Sequence, residues 1–501
     1  MWRLAPWVET LVQGCELRLR GRGIEVALEL DSPHLSVELA RALGQGLQIE
    51  DALRTIALLG RERDAIRMTL AAHGLIESSQ ERKAFIKPPL SHLYANLQAL
   101  LHMDHGLLWS AHASAMRLSV HSLWGRRGVS SGECAAAGLH FGTCLSSPLT
   151  EKGTQARGES AQDSQLSAIT VAMMEALERI FTIYRPPSCA LESVPRRSIK
   201  APSLSPEVLQ NSGSFDDDTG LDWVVATRLS DGAESFVPLC SVTTTSNGAA
   251  SHSSFADAAL NGIIEIVERD SLLYCWLTRR SPAIIADTDK VIARVPLAAS
   301  LRRLGFRITL LDGDAGLGIP VLLGIFEDDH NPAVFMLNAA SGATLDEALS
   351  KLCREFVMVM RDYFESGEMP APTVQFGEDS RSLRSPHEHF DYYQTDARTV
   401  ATSFLTASSV RRTESELDWQ LPGSDEHRLE SVVQHLARNG VEVFAVDCSS
   451  KPLRELGIEV VKILAPGTIP MYFDERHRPV SVPRLRTQDS TPLNPWPHPY
   501  G

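Results

Sequence analysis

The sequence lacks the features that mark secreted, disulfide-stabilised and membrane proteins. Its 501 residues contain only eight cysteines, which are scattered along the chain without a CxxC pair. This spacing argues against a zinc knuckle or a disulfide framework and is typical of the reducing cytoplasm. The N-terminus has no long apolar core with a cleavage site, and no apolar run approaches the length of a membrane span. We therefore expect a cytoplasmic protein without a membrane partner.

An excess of positive charge is also missing. Lys and Arg total 48 against 62 Asp and Glu, so the formal net charge is −14. Nonspecific binding to nucleic acid requires basic residues that neutralise phosphates, so nucleic acid is not an expected partner. The phosphate loops G-x-x-x-x-G-K-[ST] and G-x-G-x-x-G are absent as well. A bound nucleotide would therefore need a metal held by carboxylates in place of such a loop.

The chain is too long for one ordinary domain, and its pattern indicates α+β structure. Residues 1–90 predict a separate small module, in which the strand GIEVALEL precedes short amphipathic helices divided by glycine. A winged-helix-like unit and a generic helical cap both fit this pattern. Residues 91–501 mix helices and strands without a regular βαβ rhythm, so we expect a second domain built on mixed sheets.

The most informative stretch is FADAALNGIIEIVERDS, residues 255–271. If it is a helix, one face carries the polar residues Asp257, Asn261, Glu265 and Glu268. These four lie within an arc of about 80°, and the other faces are apolar. Carboxylates at helical spacing repel each other, and a mostly buried helix cannot easily expose them to water. A divalent cation bound by carboxylate oxygens would resolve this conflict.

A second copy of the acidic spacing lies upstream in VAMMEALERIF. There Glu175, Glu178 and Arg179 repeat the E-x-x-E-R pattern that begins at Glu265. One copy alone is a common helix-surface pattern, but two copies in apolar helices favour a functional site. Mg²⁺ usually binds one or two carboxylates together with substrate phosphates, and Arg pairs well with phosphate. The predicted ligand is a magnesium–nucleotide complex.

The segment before the acidic helix predicts a tight turn followed by a cap. Asn247–Gly248 is a dipeptide that turns easily and presents backbone amides. Ser253 lies one helical turn before Asp257 and is the predicted N-cap of the helix.

The C-terminal tail, residues 491–501, has proline at alternate positions, namely Pro495, Pro497 and Pro499. Proline fixes φ, so this tail is stiff and loses little entropy when it docks. A disordered tail is the alternative, but Trp496 and Tyr500 give this one side chains to bury. A docked tail would hold the carboxylate of Gly501 at a fixed point, where it could serve as a base.

Five segments together resemble the YcaO family, and specifically its azoline-forming cyclodehydratases. They are MEALERI (174–180), SNGAASHSSFADAALNGIIEIVERD (246–270), EALSKLCRE (347–355), LRELGIEVVKILAPGTIP (453–470) and LNPWPHPYG (493–501). The P-x-P-x-P ending marks the heterocyclising branch. The resemblance runs through residues 150–501, and it implies an α+β fold of mixed sheets in which helices enclose an ATP/Mg cleft.

The resemblance also implies site residues. The expected magnesium ligands are Glu175, Glu178, Glu265 and Glu268. The expected ATP-binding residues are Arg179, Asn247, Ser253, Asp257, Asn261, Arg269 and Glu355. The expected catalytic residues of the tail are Pro495, Pro497, Pro499 and Gly501. Four positions depart from the family pattern: Asp257 and Asn261 stand where Glu and Gln are usual, Ser253 where Asn is frequent, and Val171 where Ser is frequent.

The implied reaction modifies a ribosomal precursor peptide. A Cys, Ser or Thr side chain adds to the preceding amide carbon, ATP phosphorylates the amide oxygen, and loss of phosphate leaves a thiazoline or oxazoline. The expected partners are this peptide, a separate leader-binding ThiF-like protein and, where azolines are oxidised, a flavin-dependent azoline dehydrogenase. The family-level expectation for assembly is a homodimer.

Two other functions remain open. A YcaO enzyme can activate amides for sulfur transfer and so form thioamides, although the proline tail is evidence against this function. A non-catalytic YcaO scaffold could instead bind precursor peptide for an active partner, and the departures at Val171, Ser253 and Asp257 motivate that alternative.

Overall fold

The structure is a computed structural model of the chain. It describes residues 2–4, 9–13, 16–21, 24–29, 76–78, 90–103, 107–116, 122–128, 139–148, 156–205, 209, 217–369, 371–374, 380–395, 397–417, 419–423, 427–486 and 492–500. In this part of the chain, no helix combines the length and apolar character that a membrane crossing requires.

The chain divides into two compact units, each built from segments that are distant in sequence. The first comprises residues 1–104 and 449–459, and the second comprises residues 105–448 and 460–501. The predicted boundary at residue 90 stays a prediction. The helices predicted between residues 36 and 75 of the N-terminal module lie outside the described residues.

The described strands and helices alternate irregularly along the chain. The strands are β1 Trp2–Leu4, β2 Glu9–Gln13, β3 Glu16–Gly21, β4 Ile24–Glu29, β5 Ile76–Ser78, β6 Leu107–Ala115, β7 His140–Pro148, β8 Ala156–Gln162, β9 Leu191–Pro195, β10 Gly220–Arg228, β11 Glu234–Pro238, β12 Ala249–His252, β13 Ile284–Ile285, β14 Phe306–Asp312, β15 Leu322–Asp328, β16 Asn331–Ala340, β17 Arg411–Arg412, β18 Phe444–Asp447 and β19 Glu459–Leu464. The α-helices are α1 Leu90–Met103, α2 Leu123–Arg126, α3 Gln165–Arg179, α4 Leu239–Thr243, α5 Phe255–Thr278, α6 Thr288–Arg294, α7 Pro296–Arg303, α8 Leu345–Val359, α9 Arg361–Ser366, α10 Pro386–Tyr393, α11 Ala397–Thr402, α12 Arg428–Arg438 and α13 Lys451–Glu455. A π-helical turn, Ile180–Tyr184, follows α3.

The described strands of the first unit form small antiparallel sheets. β2, β3 and β4 make a meander, and β1 pairs with β5. The strand predicted from GIEVALEL corresponds to β4. Helix α1 contacts α13, and the Asn96 side-chain amide donates to Leu456 O at 2.9 Å.

The described strands of the second unit form three sheets. β6, β7 and β8 form an antiparallel sheet. A larger sheet has the order β11-β10-β18-β19-β12, with β9 paired to β10. The third has the order β16-β15-β14-β13-β17, and its only described parallel pair is β13 with β17. Mixed sheets with interspersed helices confirm the predicted α+β class.

Strand β16 shows why the acidic helix is apolar on most of its surface. Successive side chains of a strand point to opposite faces. Accordingly, Phe335, Leu337 and Ala339 join the apolar cluster around α5. Val334 and Met336 join a second cluster that contains the buried face of α8. The sheet thus lies between α5 and α8, and both helices must bury a broad apolar surface.

Candidate active site

Three helices carry the predicted acidic motifs, and strands connect them. Helix α3 packs on β8 and β12, α5 on β12 and β16, and α8 on β8 and β16. Each pair of helices therefore shares a strand. The carboxylates that these helices direct toward one another are named here the acidic recess: Glu175 and Glu178 of α3, Glu265 and Glu268 of α5, and Glu355 of α8.

A short backbone segment joins the two E-x-x-E motifs of the recess. The amide of Gly248 donates to Glu265 Oε2 at 3.1 Å. The amide and the hydroxyl of Ser251 both donate to Glu178 Oε1 at 2.9 Å. Gly248 has φ +77°, and a Cβ there would lie 2.7 Å from Ile463 O, so no larger residue fits without rearrangement.

Three of the five carboxylates in the recess have a cationic partner. Arg179 pairs with Glu175 at 2.6 Å, Lys351 with Glu268 at 3.1 Å, and Arg269 lies 3.6 Å from Glu265. The amides of Glu159 and Ser341 add hydrogen bonds to Glu175 at 2.6 Å and to Glu268 at 2.5 Å. Among the described residues, Glu178 and Glu355 have no ion pair within 4.0 Å.

The recess is open to water, yet protein surrounds its carboxylates. The side chains of Glu175 and Glu265 are 29% and 30% exposed, and Glu355 is exposed. Burial, reinforced by Glu175 and Glu265, raises the pKa of Glu178 to about 8. Burial, partly opposed by Arg179, raises the pKa of Glu175 to about 7. The raised pKa values mean that the ionised forms of Glu175 and Glu178 are costly in the folded protein. The five carboxylates of the recess also outnumber the three cations paired with them, Arg179, Lys351 and Arg269.

The pKa of Glu265 and that of Glu355 shift in the same direction. For both groups desolvation by the surrounding protein is the largest cause, although part of the Glu355 side chain reaches the surface, and Arg269 is the main opposing charge. A further cation is Lys462 on β19, which is buried and donates to Thr245 O. Burial lowers the pKa of Lys462 to about 8, although the negative charge of Glu265 acts in the opposite direction.

The donor set suits a magnesium ion that arrives with phosphates. Among the described residues, no three His, Cys, Asp or Glu side chains lie close enough together to hold a metal ion by themselves. Magnesium usually takes one or two carboxylates and completes its shell with water and substrate phosphates. The unpaired Glu178 carboxylate, with Glu175 or Glu265 nearby, matches that need, and Arg179 and Arg269 suit phosphate.

The residues near the start of α5 differ in part from expectation. Ser253 is not the N-cap: the hydroxyl of Ser254 accepts from the amide of Asp257 at 3.1 Å. Ser254 also donates to Asp257 Oδ2 at 2.9 Å, and His252 lies 3.3 Å from the same oxygen. Asn261 is exposed one turn further on. The side-chain oxygen of Asn247 is buried and has no hydrogen-bond partner in the part of the chain that the structure describes.

Sequence reasoning missed several partners of the acidic motifs. Ser251, Ser341 and Lys462 contact or influence the recess, but they belong to β12, to the end of β16 and to β19. Lys462 had a detectable signal, since it is the one charged residue within the apolar run VVKIL. No local pattern indicated the two serines, which contribute through their backbone amides and, in Ser251, also through the hydroxyl.

The proline-rich tail is docked over residues 492–500. Five consecutive tail carbonyls, from Asn494 to His498, accept hydrogen bonds from side chains elsewhere in the second unit. These contacts are Arg478 to Asn494 and Pro495, Trp276 to Trp496, Tyr393 to Pro497, and His389 to His498. Proline has no backbone N–H to donate, so the tail is held through its carbonyls. We call the surface formed by the donors Arg478, Trp276, Tyr393 and His389 the tail groove.

The end of the tail reaches the acidic recess. The ring of Tyr500 lies under the guanidinium of Arg269, with 4.0 Å between the guanidinium carbon and the ring centroid. Arg269 is also the cation nearest to Glu265. Gly501, the predicted base, follows Tyr500 directly but lies outside the described residues. The roles assigned to it and to the tail prolines stay predictions.

We expect the Glu178→Gln variant to be more stable than the parent protein at about pH 8. A carboxyl whose folded-state pKa is raised to about 8 holds its proton more tightly when folded, so the parent loses stability as the pH rises from about 4.5 to 8. The amide keeps an acceptor for Ser251 but carries no charge. The expected gain is about 1–3 kcal/mol, measured by thermal unfolding.

The control for this variant is Glu234→Gln, which removes an exposed carboxylate from the edge strand β11. It should leave the melting temperature unchanged at both about pH 5 and about pH 8. Equal or lower stability of Glu178→Gln at the higher pH would mean that a cation already neutralises Glu178.

The chain is similar to a known protein family and to individual relatives. A family model described as YcaO cyclodehydratase, ATP- and Mg²⁺-binding, matches residues 156–469. An uncharacterized protein of Methanothermobacter thermautotrophicus is 23% identical over 340 residues, which cover 64% of this chain and 83% of that protein. The matched family region contains all five carboxylates of the acidic recess.

Solved structures share the fold at low sequence identity. The YcaO protein of Methanopyrus kandleri, bound with AMPPCP and Mg²⁺, has a TM-score of 0.52 and 16% identity, over 80% of this chain and 95% of that one. A heterocyclase in complex with substrate and cofactor has a TM-score of 0.51 and 13% identity, over 100% of both chains. A chain of the E. coli microcin synthetase McbBCD complex has a TM-score of 0.50 and 14% identity, over 72% of this chain and 94% of that one.

Proposed function

Because the chain belongs to the YcaO family of ATP- and Mg²⁺-binding cyclodehydratases, we propose that it converts Cys, Ser or Thr residues of a ribosomal precursor peptide to thiazolines or oxazolines. The single observation that carries the proposal is the acidic recess, whose carboxylates exceed their cationic partners and lie beside the end of a docked proline-rich tail. A metal–nucleotide complex would supply the positive charge that the excess carboxylates lack. The end of the tail would then lie beside the bound nucleotide, where it could take part in ring formation.

The proposed roles follow from charge and position. Glu178, together with Glu175, Glu265 or Glu268, would hold magnesium, because Glu178 of α3 and Glu265 of α5 both accept hydrogen bonds from the short segment Gly248 to Ser251. Arg179 and Arg269 would offset phosphate charge. ATP supplies, when bound, the phosphoryl group that turns the amide oxygen into a leaving group.

Residues of this chain would also manage the proton of the attacking side chain. In ring formation, the Cys, Ser or Thr heteroatom bonds to the preceding amide carbon and loses its proton, and the amide oxygen leaves as phosphate. As the phosphate leaves, the ring nitrogen releases its amide proton to water and forms a double bond with that carbon. The carboxylate of Gly501 is the proposed proton acceptor, since Tyr500 beside it contacts Arg269. Pro495, Pro497 and Pro499 would keep this carboxylate in place by limiting the motion of the tail.

The proposal includes the cellular setting. The precursor peptide is the proposed substrate, and a leader-binding ThiF-like protein, a flavin-dependent azoline dehydrogenase and a second copy of the chain are proposed partners. The structural neighbours support protein partners in general, because one of them is part of a synthetase complex. The proposed location is the cytoplasm, where the eight cysteines would stay reduced.

The test is a reconstituted reaction with the full chain, ATP, Mg²⁺, the leader-binding partner and the precursor peptide. We expect phosphate release, together with a peptide mass lower by one water for each ring. Phosphate release without loss of water would contradict ring formation, and a gain of sulfur would indicate thioamidation. Failure to bind nucleotide at all would favour the non-catalytic scaffold.

A further inference from the structure

The docked tail depends on donors outside itself, and one of them is a buried histidine. His389 lies on α10 and is fully buried against the tail residue His498. The two imidazole rings stack with their centroids 4.3 Å apart. Neither the acidic recess nor the proposed chemistry uses His389.

Both ring nitrogens of His389 face backbone carbonyl oxygens. Nδ1 lies 2.8 Å from His498 O, and Nε2 lies 3.0 Å from Phe473 O. A carbonyl oxygen only accepts hydrogen bonds, whereas a neutral imidazole carries a single N–H. In the neutral state, one of the two contacts would place a ring lone pair against a carbonyl lone pair. Only the imidazolium form makes both hydrogen bonds.

A counter-ion lies within reach of this ring. Glu475 Oε1 is 3.8 Å from His389 Nε2, and the Glu475 side chain is only 4% exposed. That oxygen is buried without a hydrogen-bond partner among the described residues. Burial raises the pKa of Glu475 to about 7. Because a buried carboxylate oxygen without a hydrogen bond is costly, a positive His389 would stabilise Glu475 as well as the tail.

The neighbouring histidine has a different arrangement. His498 Nε2 lies 2.6 Å from Tyr472 O, to which it donates, and His498 Nδ1 accepts from the amide of Tyr500 at 3.3 Å. One donor and one acceptor define a neutral imidazole. Burial, with the nearby His389 second, lowers the pKa of His498 well below its usual value. The stacked pair therefore carries at most one positive charge.

Of the other titratable groups around His389, some favour its positively charged form and others oppose it or are neutral. On its own helix, Glu388 favours the charged ring, and Tyr393 is neutral because burial raises its pKa. On the segment that carries Glu475, Asp474 adds negative charge, whereas Arg478, 3.9 Å from Glu475 Oε2, competes for that carboxylate. Tyr472 is buried and neutral, and Arg384 pairs with Asp474 at 3.3 Å.

We propose that His389 is a positioning residue which is doubly protonated when the tail is docked, with Glu475 as its counter-ion, and that this charge fixes the tail through His498 O. The two carbonyl contacts and the Oε1 atom of Glu475, which has no hydrogen-bond partner among the described residues, carry the inference. Any effect of His389 on ring formation rests on the proposed function. The protonation state of His389 and the docking of the tail are independent of that function.

The sign of the pH dependence follows from linkage. Burial is the largest influence on His389 and lowers its pKa, whereas the carbonyls of His498 and Phe473 act in the opposite direction. The His498 contact exists only when the tail is docked, and the proposal requires that this contact outweigh the burial which the tail adds, so that docking raises the pKa of His389 relative to the undocked state. Docking is therefore strongest below the undocked pKa, and the added strength is lost as the pH rises through the docked pKa.

The test observes the imidazole directly in the full chain. Histidine ring nitrogens are labelled with ¹⁵N, and the His389 signals are identified by their loss in His389→Phe. We expect two protonated nitrogens at low pH and a midpoint that falls by about one pH unit or more in Glu475→Gln. Hydrogen exchange of residues 492–500, followed by mass spectrometry, should accelerate about tenfold or more as His389 loses its proton.

His387→Gln is the matched control, because His387 lies on the same helix and its side chain is 71% exposed. It should change neither the His389 midpoint nor tail exchange. A His389 that stays neutral at every pH while the tail remains protected would overturn the proposal. If His389→Phe does not fold, the His389 signals are identified as those whose midpoint shifts in Glu475→Gln but not in His387→Gln, and tail exchange as a function of pH still decides. Neither readout needs ATP or peptide, so failure here is distinct from failure of the cyclodehydratase assay.

Discussion

Replacing Glu265 with Gln is expected to lower ATP turnover by at least about 100-fold while leaving the fold intact. Glu265 lies where three features meet: the amide of Gly248, the guanidinium of Arg269 and the carboxylate-bearing face of α5. Gln keeps an acceptor for Gly248, so the turn should persist. It removes the negative charge that a magnesium ion requires. Steady-state phosphate release at saturating ATP and Mg²⁺ measures the effect.

The stability of this variant separates a functional from a structural role. Burial raises the pKa of Glu265, which means that ionised Glu265 is costly in the folded protein. Glu265→Gln should therefore melt at the same temperature as the parent or higher. A large fall in melting temperature would assign the acidic stripe to folding instead. Glu234→Gln, on an exposed edge strand, should change neither turnover nor melting.

Helical periodicity predicted much of the acidic recess, because its carboxylates belong to repeated local motifs. Glu175 and Glu178 lie one helical turn apart on α3, as do Glu265 and Glu268 on α5. Local spacing also predicts the i,i+4 pairs of Arg179 with Glu175 and of Arg269 with Glu265.

The partners that complete the recess could not be predicted in this way. The amide of Ser341 reaches Glu268 across 73 positions of sequence, and Lys351 reaches it across 83. Such contacts depend on how β16 and α8 pack against α5, which periodicity does not specify. The groove for the tail is similar, since Trp276, Tyr393 and Arg478 come from separate elements.

The cap of α5 shows the limit of sequence reasoning at an element boundary. Ser253 and Ser254 are adjacent, and either hydroxyl could accept an amide of the first turn. The structure uses Ser254, whose oxygen meets the amide three residues later. Ser253 instead contacts the ring of His252 at 3.3 Å. A one-residue error of this kind moves a predicted ligand from the helix end to the preceding turn.

Deletion of Pro499, Tyr500 and Gly501 is expected to abolish ring formation, a loss of at least about 100-fold, while ATP binding changes far less. The rest of the tail should remain docked, because Asn494, Trp496 and Pro497 keep their contacts. The deletion removes the proposed proton acceptor and the Tyr500 ring beside Arg269. Peptide mass spectrometry measures ring formation, and nucleotide titration measures binding.

Two further variants separate the terminal carboxylate from the Tyr500 ring. Two glycines added after Gly501 move the carboxylate but leave Tyr500 in the chain, so ring formation should fall nearly as far as in the deletion. Tyr500→Phe keeps an aromatic face for Arg269 and should retain most activity. An unaffected rate in the extended chain would refute the role given to the Gly501 carboxylate. Equal losses of ATP binding and ring formation in the deletion would assign the tail to the nucleotide site instead.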